Sequence, residues 1–327
     1  MSGRDLVVLG TASQAPTRYR NHNGYLLRWD GFGVLFDPGE GSQRQLLLAG
    51  VPSSAIDRIC LTHLHGDHCL GLPGVLARMA LDLGSDPGDR PGGSGAGAGG
   101  AGARDRAVEV FFPAESTETF VHLVQASLSR RPALDARPSD EGVLSDAPPL
   151  RLTARRLDHR VPTLGYRLEE PDGRTMLPDR LRAAGVEGPD VGRLQREGRL
   201  TTAAGTVRLE DVSVARPGQA VAFVMDTRPC AAARELAAGV DLLVCESTFL
   251  TEDEELAHAY HHMTAAQAGR LAREAGARRL VLTHFSQRHP DESRFAAEAA
   301  AAAGDAVDVI AARDLDVVPV PTRTTPG

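Results

Sequence analysis

The sequence predicts an α/β sandwich built from mixed β-sheets. Several short β-rich runs separated by turn residues open the chain, and strand and helix patterns alternate through its last third. At 327 residues the chain is long enough to bury a sizeable core without disulfides. We therefore expect a single domain over residues 1–327.

The first half of the chain begins with short apolar runs. Each run is predicted as a strand, and the runs lie at 6–9, 25–29 and 33–37. The segment AIDRICLTH predicts a buried strand that leads through a polar loop into a helix over 72–83. The next stretch is almost entirely Gly, Ala, Ser, Pro and Asp, a composition that cannot form a core. We predict a flexible insert at 84–106.

Strand and helix patterns resume at residue 108. Strands are predicted at 108–112, 152–157, 165–169, 220–225, 241–245, 279–283 and 306–310, and helices at 116–128, 231–238 and 264–275. Between them, residues 170–218 lose apolar periodicity and gain Gly, Pro and Arg. This change predicts an arm that leaves the main fold.

The charge balance bears on nucleic-acid binding. The formal net charge of −7 argues against sequence-independent binding to phosphates, which depends on a basic surface. The sequence contains no lysine, so any cationic contact to a phosphate has to come from arginine, which binds phosphate as a planar fork. An RNA function would therefore depend on local patches.

The four cysteines, Cys60, Cys69, Cys230 and Cys245, show no CxxC spacing. They are predicted to be reduced thiols of a cytoplasmic protein and not a disulfide framework or a zinc ribbon. No signal peptide is visible at the start of the sequence, and no apolar run approaches membrane-spanning length. We expect no contact with a membrane, and nothing in the sequence indicates a protein partner.

The strongest chemical signal is the motif HLHGDH at 63–68, directly after a predicted strand. His63 and His65 are two apart in an extended segment and so point the same way. Gly66 lets the chain turn, so that Asp67 and His68 reach a second position. Imidazole and carboxylate together suit zinc, with manganese or iron possible.

Further ligand candidates stand at predicted strand ends. His159, Asp226 and His284 each follow an apolar run. A single residue of this kind is more often an ordinary strand-terminal polar group. With the HLHGDH loop they become a candidate metal site, because sheet edges are where an α/β sandwich can assemble one.

These motifs resemble the metallo-β-lactamase superfamily and, within it, the ribonuclease Z family. The segments that carry the closer resemblance run in family order along nearly the whole chain: PTRYRN at 16–21, FDPGEGSQRQ at 36–45, LDHRVPTLGYRL at 157–168, DTRPC at 226–230, HHMTA at 261–265 and THFSQR at 283–288. The resemblance implies an αββα sandwich of two mixed sheets with a short protruding arm. It also implies a zinc-dependent endoribonuclease that removes the 3′ trailer of precursor tRNA and leaves a 3′-hydroxyl on the tRNA.

The resemblance also implies a ligand set. His63, His65 and His159 would hold one zinc ion, Asp67, His68 and His284 the other, and Asp226 would bridge them. Two zinc ions per subunit are expected, with Mn²⁺ or Fe²⁺ possible. Such a pair activates a water and suits attack on a phosphodiester.

The resemblance assigns catalytic roles to His262, Asp67 and Glu246. His262 would transfer a proton to the leaving 3′-oxygen, with His261 as the alternative. Glu246, at a predicted strand end two residues before Thr248, would orient His262 or be a simple surface carboxylate. The sequence places His262 just before a helix, because Thr264 and Gln267 form a T-x-x-Q capping box. Exposed amides at such a helix start favour an anion such as phosphate.

Substrate contacts are implied at two places. The arm at 170–218 resembles the family's clamp for the tRNA elbow, with basic contacts at Arg193, Arg196 and Arg199, and a homodimer in which the arm serves the partner's site. PTRYRN resembles the loop that recognises the RNA 3′ end, with contacts at Arg18, Arg20 and Asn21. Arg18 stands where the family often has lysine, and Met225 where glycine usually precedes the bridging Asp.

Two alternatives remain open from the sequence. A related two-zinc hydrolase of small phosphodiesters or other esters would have no use for the arm or for PTRYRN. A non-catalytic RNA-binding paralogue would be expected to have lost ligands, yet each expected ligand is present.

Overall fold

The computed structural model describes residues 3–84, 107–125, 132–202 and 205–323. Its strands, in chain order, are β1 Arg4–Gly10, β2 Gly24–Trp29, β3 Phe32–Phe36, β4 Arg58–Cys60, β5 Val108–Pro113, β6 Leu134–Ser139, β7 Gly142–Ser145, β8 Arg151–Arg156, β9 Leu164–Glu169, β10 Gly173–Met176, β11 Arg199–Thr202, β12 Gly205–Arg208, β13 Ser213–Arg216, β14 Ala220–Val224, β15 Leu242–Glu246, β16 Arg279–Thr283, β17 Asp308–Ala311 and β18 Val317–Pro319. The helices are α1 Ser42–Leu48, α2 Gly66–Cys69, α3 Leu72–Gly84, α4 Thr117–Gln125, α5 Pro178–Ala183, α6 Pro189–Glu197, α7 Ala231–Ala237, α8 Glu254–Tyr260, α9 Ala265–Ala275 and α10 Glu292–Ala303. The insert predicted at 84–106 lies outside the described residues except for Gly84, which ends α3.

Two seven-stranded sheets form the centre of the larger of two compact units, which comprises Met1–Leu168 and Ala220–Thr322. The first sheet has the order β18-β1-β2-β3-β4-β5-β6, and the second has the order β17-β16-β15-β14-β9-β8-β7. Both contain parallel and antiparallel pairs. The predicted mixed-sheet sandwich is confirmed.

Three apolar clusters give this unit its layers. The central cluster joins the facing sides of the two sheets, and a further cluster lies between each sheet and its helices. In β1, Leu6 and Val8 face the central cluster while Val7 and Leu9 face the helices, because successive side chains of a strand alternate between its faces. The order is therefore helices, sheet, sheet, helices, as the resemblance implied.

The smaller unit contains Glu169–Gln219, which matches the predicted arm at 170–218 to within one residue at each end. Two strand pairs, β10 with β13 and β11 with β12, lie with α5 and α6 around an apolar core. That core consists of Leu181, Val186, Leu194, Leu200, Val207 and Val212. The chain, predicted as one domain, thus divides into two units.

No individual strand or helix was predicted within 170–218, although the structure contains both there. The strands of this segment are four residues long, too short for alternation to be evident in the sequence. Helix signals were present, however. Pro178 and Pro189 begin α5 and α6, and Gly198 ends α6 in the left-handed conformation.

Other elements were also missed, among them α1 and α8, each seven residues long. Helices this short carry only about two turns of apolar pattern. Among the helices described, none combines the length and the apolar character that a membrane crossing requires.

Candidate metal centre

The HLHGDH motif lies where β4 gives way to α2. His65 has an extended backbone at the start of α2, and Gly66 begins the helix. Asp67 and His68 are therefore helical while His63 and His65 precede the helix. The change of backbone at Gly66 divides the motif into two pairs, as the sequence predicted.

One candidate group consists of His63, His65, His159 and Asp226, with one ligand atom of each within 4.8 Å of the others. His63 Nε2 lies 3.0 Å from His65 Nδ1, which is 3.5 Å from His159 Nε2. His159 stands three residues beyond the end of β8, in the loop before β9. Residues far apart in sequence are thus brought together at one sheet edge.

The second group consists of Asp67, His68 and His284, under the same 4.8 Å limit. The two Nε2 atoms of His68 and His284 lie 3.3 Å apart. Asp67 Oδ2 lies 3.3 Å from His68 Nε2 and 3.5 Å from His284 Nε2. His284 directly follows β16.

Asp226 stands between the groups. Its Oδ1 lies 3.2 Å from His284 Nε2 and 3.4 Å from His68 Nε2. Its Oδ2 lies 3.5 Å from His63 Nε2 and 3.7 Å from His159 Nε2. The two oxygens of one buried carboxylate therefore face two different sets of imidazoles.

The outer nitrogen of each of three imidazoles has a fixed partner. His68 Nδ1 is 2.9 Å from Asp37 Oδ2, and His284 Nδ1 is 2.7 Å from Thr248 Oγ1. His159 Nδ1 is 3.2 Å from the backbone oxygen of His261. These contacts leave Nε2 directed inward and fix the ring orientation, as outer partners of metal-binding histidines do.

Sequence reasoning missed Asp37 and Thr248. Asp37 accepts hydrogen bonds from the backbone N–H and the hydroxyl of Thr62, at 2.7 and 2.6 Å, besides facing His68. Thr248 donates to Glu246 Oε2 at 2.6 Å. Asp37 follows β3 directly, so it carried the same strand-end signal that identified Asp226.

Burial and charge divide the histidines. Burial lowers the pKa of His63, His65 and His159, which favours neutral imidazole with a free lone pair, the form that binds a metal ion. Burial also opposes charge on His68, but the carboxylates of Asp226 and Asp67 outweigh it and raise the pKa of His68 well above its usual range. Burial raises the pKa of Asp226, and the neighbouring His284 and His68 charges reverse this and hold it well below its usual range.

Backbone strain concentrates at the same place. Asp37, Asp226, His261 and His284 have positive φ of 41°, 42°, 59° and 61°, which non-glycine residues seldom adopt. Among the described residues, Asp30 and Leu315 are the other non-glycine positions of this kind. Such strain persists where surrounding structure enforces it, typically at functional sites.

The residues present fit a pair of divalent cations. The facing nitrogens of His63 and His65 lie 3.0 Å apart and those of His65 and His159 lie 3.5 Å apart, and neutral imidazole nitrogens so placed repel unless a cation or proton lies between them. Asp226 Oδ1 is buried and makes no hydrogen bond among the described atoms, although imidazole nitrogens lie 3.2 and 3.4 Å away, and a buried carboxylate oxygen without a hydrogen bond is costly. A set of imidazoles and carboxylates suits zinc and related first-row ions.

His262 faces this cluster, and His261 does not. The His262 ring lies 5.2 Å, centroid to centroid, from both His159 and His284, and its Nδ1 is 2.9 Å from Glu246 Oε1. The side chain of His261 turns instead to Asp158, 3.0 Å away. Burial lowers the pKa of His262, but Glu246 outweighs burial and raises it to about 9.

The local sequence explains the position of His262. Thr264 caps α9 by accepting a hydrogen bond from the Gln267 backbone, while Gln267 accepts one from the Thr264 backbone. The predicted capping box is confirmed, and Gly276 caps the end of α9 in the left-handed conformation. His262 precedes the cap by two residues.

Comparisons with known proteins show which family this chain belongs to. The metallo-beta-lactamase superfamily model matches residues 17–122, and the beta-lactamase superfamily domain model matches 190–285. The chain is 52% identical over 325 residues to ribonuclease Z of Streptomyces avermitilis, a match that covers 99% of this chain and 100% of that protein. The chain belongs to the ribonuclease Z family. Ribonuclease Z of Chlamydia muridarum is 40% identical, with 91% of this chain and 92% of that protein covered.

Two solved structures share the fold of this chain. Human tRNase Z, short form, superposes with a TM-score of 0.66 at 22% identity, covering 97% of this chain and 100% of that one. A metallo-beta-lactamase fold protein from Bacillus subtilis superposes with a TM-score of 0.65 at 18% identity, covering 97% and 99%. At this level of identity the likeness shows the fold alone.

In this ribonuclease Z family member, hydrogen bonds of Arg20 and Asn21 to other segments fix the PTRYRN loop. Arg20 is 3% exposed, and its guanidinium donates to Glu292 at 2.9 Å and to the backbone oxygen of His289 at 2.9 Å. The backbone N–H of Asn21 donates to Asp314, and its side chain donates to Glu40 O. Arg18 is exposed, without an ion pair among the described residues. In this structure Arg20 and Asn21 hold the loop, so Arg18 is the predicted contact that a large substrate can reach.

The three arginines predicted as arm contacts all lie in the smaller unit and are exposed. Arg193 is 3.5 Å from both Asp190 and Glu197, on the same helix. Arg196 and Arg199 have no ion pair in the part of the chain that the structure describes. Their charges are therefore less compensated than that of Arg193.

Proposed function

We propose that this chain is a metal-dependent endoribonuclease that removes the 3′ trailer of precursor tRNA and leaves a 3′-hydroxyl on the tRNA. The observation that carries the proposal is the placement of Asp226, whose two oxygens face two separate sets of imidazoles. A dinuclear site is suited to in-line displacement at a phosphodiester. The full-length similarity to ribonuclease Z proteins supports this substrate class.

The proposed ligands are the seven predicted from the sequence. His63, His65 and His159 would hold one ion, Asp67, His68 and His284 the other, and Asp226 would bridge them. We propose zinc as the native metal and two ions per subunit, with Mn²⁺ or Fe²⁺ as substitutes. When bound, the ions lower the pKa of a water and neutralise charge on the phosphate oxygens.

The protein's own groups would move and hold the proton. Glu246 accepts from His262 Nδ1 and so leaves Nε2 directed at the cluster. When His262 is protonated, its Nε2 proton can pass to the leaving 3′-oxygen. This oxygen is a poor leaving group unless it receives a proton. Asp67 would take part through the ion that it would hold together with His68 and His284.

Substrate selection would come from two surfaces outside the metal ligands. We propose that Arg18, carried on the fixed PTRYRN loop, contacts RNA near its 3′ end, with Arg20 and Asn21 holding the loop. Arg193, Arg196 and Arg199 of the smaller unit would also contact tRNA. We also propose that the chain forms a homodimer and is located in the cytoplasm, where precursor tRNA is found in bacteria.

Cleavage mapping tests this function. The purified protein, loaded with zinc, is incubated with an unmodified precursor tRNA that carries a 3′ trailer, and the 3′ end of the product is sequenced. We expect one cut at the end of the mature acceptor stem, with a 3′-hydroxyl, and no such cut after Asp226→Asn. Hydrolysis of a small phosphodiester without cleavage of the precursor would contradict the proposal and favour the small-substrate hydrolase.

A further inference from the structure

Arg160 and Tyr260 lie beside the candidate metal centre without belonging to it. Arg160 directly follows His159, and Tyr260 precedes His262 by two residues. The contact between His159 Nδ1 and the backbone oxygen of His261 joins the two segments at 3.2 Å. The pair is therefore fixed next to a proposed metal ligand and to the proposed proton donor.

Two contacts hold the guanidinium of Arg160. Its Cζ lies 4.7 Å from the centroid of the Tyr260 ring, within the range of a cation–π interaction. Its Nη2 donates to the backbone oxygen of Ala259 at 2.6 Å. Because Tyr260 ends α8, the Ala259 carbonyl belongs to the last turn, where oxygens lack partners within the helix.

These contacts leave most of the guanidinium available. Arginine carries five N–H donors, and one is used here. The side chain is exposed and forms no ion pair with any carboxylate that the structure describes.

The nearest carboxylate in sequence is already engaged. Asp158 accepts from Arg228 at 2.9 and 3.2 Å and lies 3.0 Å from His261 Nδ1. Arg228 is therefore neutralised by Asp158, whereas Arg160 keeps an uncompensated positive charge. A fixed, charged, planar fork of this kind suits a phosphate group.

We propose that Arg160, oriented by Tyr260, binds a backbone phosphate of the RNA next to the phosphate that is cut. This inference rests on the proposed function and adds a substrate contact to it. Arg160 would bind RNA, and Tyr260 would act as a positioning residue. Stacking on Tyr260 restricts the guanidinium before RNA arrives, so less conformational entropy is lost on binding.

The test compares two substrates in zinc-loaded full-length protein. For Arg160→Gln we expect the KM for precursor tRNA to rise roughly tenfold, the lower end of what a charged hydrogen bond contributes. The slope of log affinity against log salt concentration should fall by about one, the loss of one phosphate contact. Hydrolysis of bis(p-nitrophenyl) phosphate and zinc content should not change, since this small diester has no neighbouring phosphate.

Further variants separate binding from helix capping. Arg160→Lys keeps the charge and a donor but loses the planar, two-pronged geometry of the guanidinium. Its salt slope should therefore equal that of the wild type, whereas its KM should lie between those of the wild type and Arg160→Gln. Tyr260→Leu should raise the KM for RNA less than Arg160→Gln does. Arg155→Gln is the matched control, because Arg155 lies five residues earlier and is paired with Glu235 at 2.9 Å. We expect Arg155→Gln to leave the KM within roughly twofold of the wild type, because Glu235 already compensates the charge of Arg155.

Two results would overturn the inference while the wild-type protein cleaves precursor tRNA. Equal losses on RNA and on the small diester would show that Arg160 only caps α8 and supports His262. An unchanged KM and salt slope would show that it does not contact RNA. A wild-type protein that hydrolyses the diester but leaves precursor tRNA intact would instead contradict the proposed function.

Discussion

The two adjacent histidines before α9 have different surroundings and should differ in function. His262 faces the cluster and is bound to Glu246, whereas the His261 side chain is bound to Asp158. For His262→Ala we expect turnover on precursor tRNA to fall by roughly 10² to 10⁴, the usual contribution of a positioned acid. Metal content, measured by elemental analysis, should stay the same.

The control for His262 is a substrate whose leaving group needs no proton. p-Nitrophenolate leaves without a proton, so His262→Ala should reduce hydrolysis of bis(p-nitrophenyl) phosphate much less than cleavage of RNA. The reverse pattern, a nearly silent His262→Ala with an inactive His261→Ala, would assign proton transfer to His261. Loss of metal from His262→Ala would make it a ligand, an outcome that its place within 4.8 Å of Asp226 and His284 allows.

Within the PTRYRN loop, neighbouring arginines should separate stability from binding. The buried guanidinium of Arg20 makes three hydrogen bonds and lies over the Phe285 ring, whereas Arg18 is exposed. Arg20→Ala should lower the free energy of unfolding by roughly 2 kcal/mol, less than the loss of a fully buried pair because Glu292 is partly exposed. Denaturant titration measures this change.

Arg18→Ala is the counterpart in that loop. It should weaken RNA cleavage without changing the denaturation midpoint, because the exposed Arg18 side chain has no hydrogen bond or ion pair among the residues that the structure describes. If Arg18→Ala destabilises the protein as much as Arg20→Ala, or if it leaves RNA cleavage unchanged, the assignment of Arg18 to RNA binding is wrong.

At the scale of elements, the smaller unit contains a core that a deletion would destroy. Leu194 lies between the arginines of α6 and is fully buried, so replacing the helix would remove packing as well as charge. Point substitutions are the sharper test. Arg196→Gln with Arg199→Gln should weaken tRNA binding and reduce its salt slope by about two, whereas small-diester hydrolysis should persist.

Arg193→Gln is the matched control for the smaller unit. Because Asp190 and Glu197 already compensate Arg193, its removal should change the salt slope less than the removal of Arg196 or Arg199. Equal effects of the three substitutions would show that ion pairing on α6 does not determine which arginines contact tRNA.

At the scale of the whole molecule, metal binding should be coupled to stability. The candidate ligands come from loops after β4, β8, β14 and β16, so bound ions would join both sheets at one edge. A ligand that binds only the folded state adds about 2.7 kcal/mol at a hundredfold excess over its Kd. Chelation should therefore lower the melting temperature, and zinc should restore it.

His284→Ala tests the same coupling at one group. We expect elemental analysis to find two ions per chain in the wild type and fewer in this variant, with a smaller melting-temperature gain on addition of zinc. Two tightly bound ions in His284→Ala, or a wild-type chain that takes up a single ion, would contradict the dinuclear arrangement.

The sequence by itself determined the features that local pattern encodes. Short β-rich apolar runs predicted β1, β2, β3 and β16 to within two residues of their observed ends, and Thr264 with Gln267 predicted the start of α9. The HLHGDH motif and the strand-end residues identified the metal-binding candidates, because strand ends at a sheet edge bring such groups together. These signals depend on backbone geometry over a few residues, which the order of amino acids specifies directly.

Only the tertiary structure decided which distant groups face each other. Asp37 contacts His68 across 31 residues of sequence, and Arg20 reaches Glu292 across 272, separations that no local pattern encodes. The division of Asp226 between two sets of imidazoles likewise arises from the order of β4, β8, β14 and β16 within the two sheets. An arginine is equally polar in sequence whether it is buried or exposed. Arg20 became an anchor, and Arg160 an uncompensated charge, because packing decided which carboxylates lay within reach.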